Sequence, residues 1–212
     1  MPFMERRRRS RRPLSKDQLL GIANYLTYGR MAIVPVLVLL MMGINENSHR
    51  IPLNQILSWA AMICFTIAQL SDVVDGYYAR KYGVVSSFGK FVDPLADKLL
   101  SMSALIMLIP LGRISAWMVV LLIARETMVT ALRGIAASEG IEISASDWGK
   151  KKTAIQAFAI GHLMVHYPVG IFHPRTVGLI LIWLTLIVSL GSGIHYGWTF
   201  FKEVFYGRRT NH

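Results

Sequence analysis

The stretch TVGLILIWLTLIVSLGSGIHYGWTFF, residues 176–201, decides the fold class. It contains no Asp, Glu, Lys or Arg. As a helix rising about 1.5 Å per residue, it is long enough to cross a hydrocarbon core of roughly 30 Å. Five further apolar runs precede it, at about 26–44, 54–79, 93–111, 114–136 and 153–171, separated by short polar segments. Gly and Pro fall mostly at the run ends, as at Gly43, Pro110, Gly112, Pro168 and Gly170. The sequence therefore predicts an all-α integral membrane protein. Its expected architecture is a six-transmembrane-helix bundle with a short N-terminal juxtamembrane helix.

Composition agrees with this reading. Of the 212 residues, 53% are hydrophobic and only 17% are charged, which excludes disordered, collagen-like and disulfide-scaffold classes. The single cysteine, Cys64, has no intramolecular disulfide partner and reads as a small core or lipid-facing residue. Yet the net charge is +11. Such a chain is either a membrane protein with its cations on one side or a nucleic-acid binder, and the positions of the cations separate the two.

Six spans return the chain to its starting side. One set of helix ends then holds Arg6 to Arg9, Arg11, Arg12, Lys16, Arg30, Arg80, Lys81, Lys90, Lys98, Arg133, Lys150 to Lys152, Lys202, Arg208 and Arg209. The other set holds only Arg50, Arg113 and Arg175. This asymmetry fits the positive-inside rule with both termini cytoplasmic. Residues 1–16 form a basic cytoplasmic arm, 17–205 the membrane domain and 206–212 a basic cytoplasmic tail. The arm lacks interleaved aromatics or a recognition motif, so no nucleic-acid partner is expected. It suits contact with anionic membrane lipid instead.

Ionisable residues inside membrane spans are costly and are functional candidates. The densest group is Asp72, Asp75, Gly76, Ala79 and Arg80 at the end of the second run, with Gly89, Asp93 and Asp97 at the start of the third. At about 100° per residue, Asp72, Asp75, Gly76 and Ala79 share one helix face, and Gly89, Asp93 and Asp97 form a second stripe. A short loop joins the two helices, so they should be antiparallel neighbours with four carboxylates converging at the cytoplasmic boundary. Unpaired carboxylates so close would repel one another, and divalent cations relieve that repulsion. Oxygen-only ligands favour Mg²⁺ or Mn²⁺, and such a set is suited to two ions about 3.5–4 Å apart for displacement at phosphorus.

The spacing Asp72-x2-Asp75-Gly76-x2-Ala79-Arg80-x8-Gly89-x3-Asp93-x3-Asp97 resembles the signature of the CDP-alcohol phosphotransferases, six-helix membrane enzymes that are usually homodimeric. With even residue usage, a chance match at a given start is on the order of 10⁻¹⁰. The resemblance implies that Asp72, Asp75, Asp93 and Asp97 hold two divalent ions, with Asp97 also acting as general base. It further implies that Asp72, Gly76, Ala79, Arg80 and Gly89 bind the CDP-linked lipid. The expected chemistry is in-line attack of an alcohol on the lipid-proximal phosphorus, with CMP as the leaving group.

The acceptor must be read elsewhere. Arg125, Glu126 and Arg133 lie in the fourth run, and Lys150 to Lys152 open the fifth. Guanidinium and ammonium groups converging on a pocket suit a phosphate-bearing alcohol. These stretches, with Asn24, Thr27 and Arg30 before the first span, are similar to those of the bacterial phosphatidylglycerophosphate synthase branch of the family. Ala23 stands where that branch usually has Pro. The resemblance implies CDP-diacylglycerol and sn-glycerol 3-phosphate as substrates. Arg125, Arg133, Lys150 and Lys152 are then candidates for the acceptor phosphate, and Asn24, Thr27 and Arg30 for the CDP side. It also implies a bacterial inner membrane enzyme whose site faces the cytoplasm. The alternatives are a cardiolipin synthase or an inositol-phosphate-using enzyme of the same family, or a cation-binding transporter. Acids at a helix end, rather than at the bilayer midplane, speak against the transporter.

Overall fold

The computed structural model describes residues 16–46, 51–82, 87–138 and 147–206, with side chains at 29–46, 51–71, 95, 98–136, 138 and 151–202. The basic arm and tail lie outside the described residues, apart from Lys16 and Tyr206. The described residues form six helices: α1 (Lys16–Met42), α2 (Ile51–Tyr82), α3 (Ser87–Leu108), α4 (Ala116–Ser138), α5 (Asp147–Val165) and α6 (Pro174–Tyr206). They follow the six apolar runs in order. Ile51–Ser71 and Pro174–Lys202 are long and apolar enough to cross a membrane, whereas Gly29–Met42 and Lys98–Leu108 are shorter apolar stretches. In α4 and α5 the charges at Arg125, Glu126, Arg133 and Lys150 to Lys152 interrupt the apolar sequence.

Two expectations are corrected. The juxtamembrane segment is not a separate helix, because α1 runs unbroken from Lys16 to Met42. Within α1 no Pro stands before Pro35, and a lone Gly such as Gly21 costs a helix only about 1 kcal/mol, too little to divide it. The fifth run also ends early, at Val165 rather than near residue 171. His166 takes φ = 57°, Pro168 cannot continue the helix, and Val169 and Phe172 exchange backbone hydrogen bonds of 2.9 and 3.1 Å. This turn carries Phe172 back over α5, where its ring meets His162 edge-on at 5.9 Å.

In the bundle, α1 packs against both α2 and α3, α5 lies along α6 and against α2, and α4 rests on α6. Leu37, Met41, Phe65, Leu105, Leu163 and Ile182 form part of the buried interior. The exterior is apolar too, with Leu39, Ile67, Ile180, Ile187, Ile194 and Trp198 exposed. A soluble surface rarely carries so much contiguous apolar area, but a lipid-facing surface does. Gly178 sets the α5–α6 distance. A Cβ there would lie 2.9 Å from Leu163 Cδ2 and 3.0 Å from the Leu163 backbone nitrogen, so only glycine fits.

The end of the bundle opposite the acid series is fastened by Arg113, which the sequence reading placed only as a loop cation. Its guanidinium is buried. Nε and Nη2 donate to Glu46 Oε1 at 2.9 and 2.5 Å, Nη2 donates to Ser58 Oγ at 2.9 Å, and Nη1 donates to the carbonyls of Leu163 and Met164. Tyr167 donates to Glu46 Oε2 at 2.8 Å and lays its ring 5.4 Å from the Arg113 guanidinium carbon. One side chain thus joins the α1–α2 segment, α2, the α3–α4 turn and the end of α5. Partial burial pulls the Glu46 carboxyl upward. The hydrogen bonds from Arg113 and Tyr167, together with the Arg113 charge, outweigh that and hold it below its ordinary value.

Candidate active site

The acid series occupies the facing ends of two helices. Asp72, Asp75, Gly76, Ala79 and Arg80 fall in the last turns of α2, and Gly89, Asp93 and Asp97 in the first turns of α3. Their side chains lie outside the described residues, as do those of Asn24 and Thr27 on α1 and Lys150 on α5. The helical register nevertheless places Asp72 and Asp75 three apart, and Asp93 and Asp97 four apart, so each pair shares a face. Among the described side chains, no group of three or more His, Cys, Asp or Glu converges.

A described contact ties the two acid-bearing helices together. Gln69 Nε2 donates to Ser101 Oγ at 3.3 Å. Gln69 precedes Asp72 by one turn of α2, and Ser101 follows Asp97 by one turn of α3. The bond therefore brings together the two helices just where their acid stripes begin and end. Neither residue was a candidate in the sequence. The available signal was a polar side chain inside an apolar run, one helical turn from an acid.

Beside this junction lies a small pocket of about 30 Å³, whose polar lining includes Lys98, Ser101, Glu126, Lys152, Thr153 and Gln156. It adjoins the helix turn that carries Asp97. Lys152 is buried and ion-pairs with Glu126 Oε2, and Lys98 Nζ donates to Thr130 Oγ1. The Gln156 Oε1 is buried and has no hydrogen-bond partner among the described residues. The pocket therefore offers an ammonium paired with a carboxylate and an acceptor oxygen open to a hydrogen bond from a hydroxyl. Its volume admits only a small polar group of a ligand.

The other predicted acceptor cations lie differently. Arg125 Nη1 reaches Glu126 at 3.4 Å, but its Nε donates to Ser189 O at 2.9 Å and its Nη2 to Ser192 Oγ at 2.7 Å, both on α6. Gly193 makes room for it, since a Cβ there would meet Arg125 Cγ at 3.1 Å. Arg133 sits over the Tyr196 ring at 5.5 Å, also on α6. Arg30 is buried in α1. Of the described candidates for the acceptor phosphate, Lys152 alone lines the pocket, with Arg125 coupled to it through Glu126.

This arrangement predicts a selective effect on one substrate. Lys152→Gln removes the pocket's buried ammonium while Arg125 still balances Glu126. A hydrogen bond to a charged group is worth about 1.5–3 kcal/mol, so KM for a phosphorylated acceptor should rise about tenfold or more. KM for the CDP-linked lipid should stay unchanged, and steady-state titration of each substrate in turn checks both.

Known proteins are similar to this chain over most of its length. The family profile for CDP-alcohol phosphatidyltransferase matches residues 20–191, a span that holds the whole acid series and the pocket. The CDP-diacylglycerol–glycerol-3-phosphate 3-phosphatidyltransferase of Bacillus subtilis is 35% identical over 200 residues, covering 91% of this chain and all of that protein. A probable phosphatidylglycerophosphate synthase of Mycobacterium tuberculosis is 38% identical over 182 residues, covering 85% of this chain and 82% of that protein. The Haemophilus influenzae CDP-diacylglycerol–glycerol-3-phosphate 3-phosphatidyltransferase is 31% identical over 181 residues, covering 83% of this chain and 91% of its own. With its profile match spanning most of its length and its relatives aligned almost end to end, the chain belongs to the CDP-alcohol phosphatidyltransferase family.

Proposed function

We propose that this protein transfers the phosphatidyl group of CDP-diacylglycerol to sn-glycerol 3-phosphate, giving phosphatidylglycerophosphate and CMP. The observation that carries this is the Gln69–Ser101 junction, which sets the acid-bearing ends of α2 and α3 beside a pocket holding Lys152 and Gln156. Four carboxylates in two i, i+3/i+4 pairs are the oxygen-only donor set that hard divalent ions require, so Asp72, Asp75, Asp93 and Asp97 fit two Mg²⁺ or Mn²⁺. When bound there, the ions supply charge neutralisation for the pyrophosphate. Lys152 and Lys150 on α5 would bind the acceptor phosphate, with Arg125 and Arg133, whose guanidinium groups meet α6, adding positive charge from α4. Gln156 Oε1 would accept a hydrogen bond from one acceptor hydroxyl. Asp97 would take the proton from another as that oxygen bonds to the lipid-proximal phosphorus and the phosphorus–oxygen bond to CMP breaks. Asn24, Thr27, Arg30, Gly76, Ala79, Arg80 and Gly89 would line the CDP side.

The same reading gives six membrane spans, cytoplasmic termini, a site facing the cytoplasm of a bacterial inner membrane, and a homodimer. The cation asymmetry and the apolar exterior support the membrane orientation, and the family resemblance supports the dimer. Purified protein supplied with labelled CDP-diacylglycerol should release CMP with glycerol 3-phosphate. It should do so neither with inositol phosphate nor with phosphatidylglycerol. EDTA should stop the release and added Mg²⁺ or Mn²⁺ restore it. Product formed with another acceptor alone would overturn the choice of alcohol, and EDTA-insensitive turnover would overturn the metal centre.

A further inference from the structure

Glu126 is the one acidic residue of α4, and it sits between two cations of different helices. Its Oε2 receives both the Lys152 ammonium of α5 and Nη1 of Arg125, the latter at 3.4 Å. Neighbouring helix residues point about 100° apart, so Arg125 turns toward α6 while Glu126 reaches α5. The rest of the Arg125 guanidinium is taken by Ser189 O and Ser192 Oγ, which anchor it on α6. Lys152 has no such anchor among the described contacts. Its side chain is only 3% exposed, and its ammonium is paired with Glu126. A third cation, Lys98 of α3, lines the same pocket and bonds Thr130, one turn beyond Glu126. Positive charges from three helices therefore gather around one carboxylate.

We propose that Glu126 is a positioning residue for the acceptor, keeping the Lys152 ammonium charged and in place at the pocket wall. The proposal rests on the reaction given above, since Glu126 acts through the cation assigned there to glycerol 3-phosphate. A buried ammonium without a counter-ion gives up its proton or withdraws toward water. Arg125 and Lys98 strengthen that tendency, because both repel Lys152, and Glu126 offsets it. An ammonium carries three N–H donors, so the bond to Glu126 does not exhaust it. A phosphate can join the same nitrogen without displacing the carboxylate. Glu126 itself need touch no substrate, and its effect reaches the acceptor through Lys152.

The test measures CMP release by the full chain in detergent micelles with Mg²⁺, titrating glycerol 3-phosphate at saturating CDP-diacylglycerol from about pH 7 to about pH 9. Across this range the acceptor phosphate is already a dianion, its second ionisation lying near about pH 6. The variant-to-wild-type ratio of KM cancels whatever titrates in both proteins. For Glu126→Gln the ratio should be about tenfold at the lower pH, the scale of one lost hydrogen bond to a charged group. It should rise by about another tenfold at the upper pH, as Lys152 loses its proton. The kcat and the KM for CDP-diacylglycerol should stay near their wild-type values. In Glu126→Gln/Lys152→Arg the rise with pH should vanish, because a guanidinium stays protonated throughout. Glu126→Asp, whose carboxylate is one methylene shorter, should raise the ratio several-fold with little pH dependence. A carboxylate needed only for folding would instead lower thermal stability and leave the acceptor KM as in wild type. An unchanged KM in either monodisperse Glu126 variant overturns the proposal, as does a Glu126→Gln ratio that is flat with pH or a rise that survives Lys152→Arg. Failure of both single variants to elute as monodisperse protein would make the carboxylate a folding element and overturn it too. Absence of CMP release from wild-type protein with glycerol 3-phosphate would overturn the underlying reaction instead.

Discussion

Asp97→Asn is expected to lower CMP release by about 10²–10⁴-fold, the usual contribution of a positioned general base. The amide keeps the shape of the carboxylate and loses its ability to take a proton. Asp97 is the last acid of the series, one turn before Ser101, whose hydroxyl is bonded to Gln69 of α2. The next residue, Lys98, bonds Thr130 of α4, so this turn of α3 is fixed on both sides. Because Asp72, Asp75 and Asp93 remain, binding of labelled CDP-diacylglycerol should be largely retained. Measuring turnover and binding on the same preparation separates the two roles. If lipid binding falls as steeply as turnover, Asp97 is mainly a metal ligand and the base lies elsewhere.

The second large effect concerns stability. Arg113→Ala is expected to destabilise the protein by about 3–5 kcal/mol, the usual cost of breaking a buried ion pair from one side. The substitution leaves the Glu46 carboxylate without its counter-ion and the carbonyls of Leu163 and Met164 without a donor. Arg113→Lys should recover only part of the loss, because an ammonium cannot reproduce the planar fork that meets Glu46 and Ser58 together. Thermal unfolding in detergent reads the effect. The pair also has a pH signature. The Glu46 carboxyl is held low in the folded state, so its stabilisation is present above the unfolded carboxylate value and is lost as pH falls through the lower folded value. Wild-type protein should therefore lose stability on the acid side. Arg113→Ala should show a shallower acid slope, because the group that depresses Glu46 is gone.

The six apolar runs marked the six helices in order because a run of apolar residues is a local property of the chain. The register of the acids was legible for the same reason, since spacings of three and four residues map directly onto a helix face. Boundaries set by geometry were harder to read. The end of α5 at Val165 depends on the backbone of His166 and on the Val169–Phe172 pairing, neither of which interrupts the apolar pattern. The choice of partner was least legible. Arg113 looked like a sparse loop cation, yet it bonds residues 50 and more positions away on both sides. Arg125 looked like a phosphate ligand by its depth in the run, and it does need partners there, but Ser189 and Ser192 of α6 supply most of them. Burial could be inferred from sequence, whereas the identity of the satisfying group depends on how the helices meet.

The contact at Gly178 also links two parts of the bundle. With Leu163 seated where a Cβ would otherwise stand, α5 cannot slide or rotate along α6 without a collision, and Arg125 fastens α4 to the same helix. Arg113 in turn ties α2 to the end of α5 through Ser58 and the Leu163 and Met164 carbonyls. Leu163 thus serves both fastenings, its side chain against α6 and its carbonyl under the guanidinium, so a displacement at one is passed to the other.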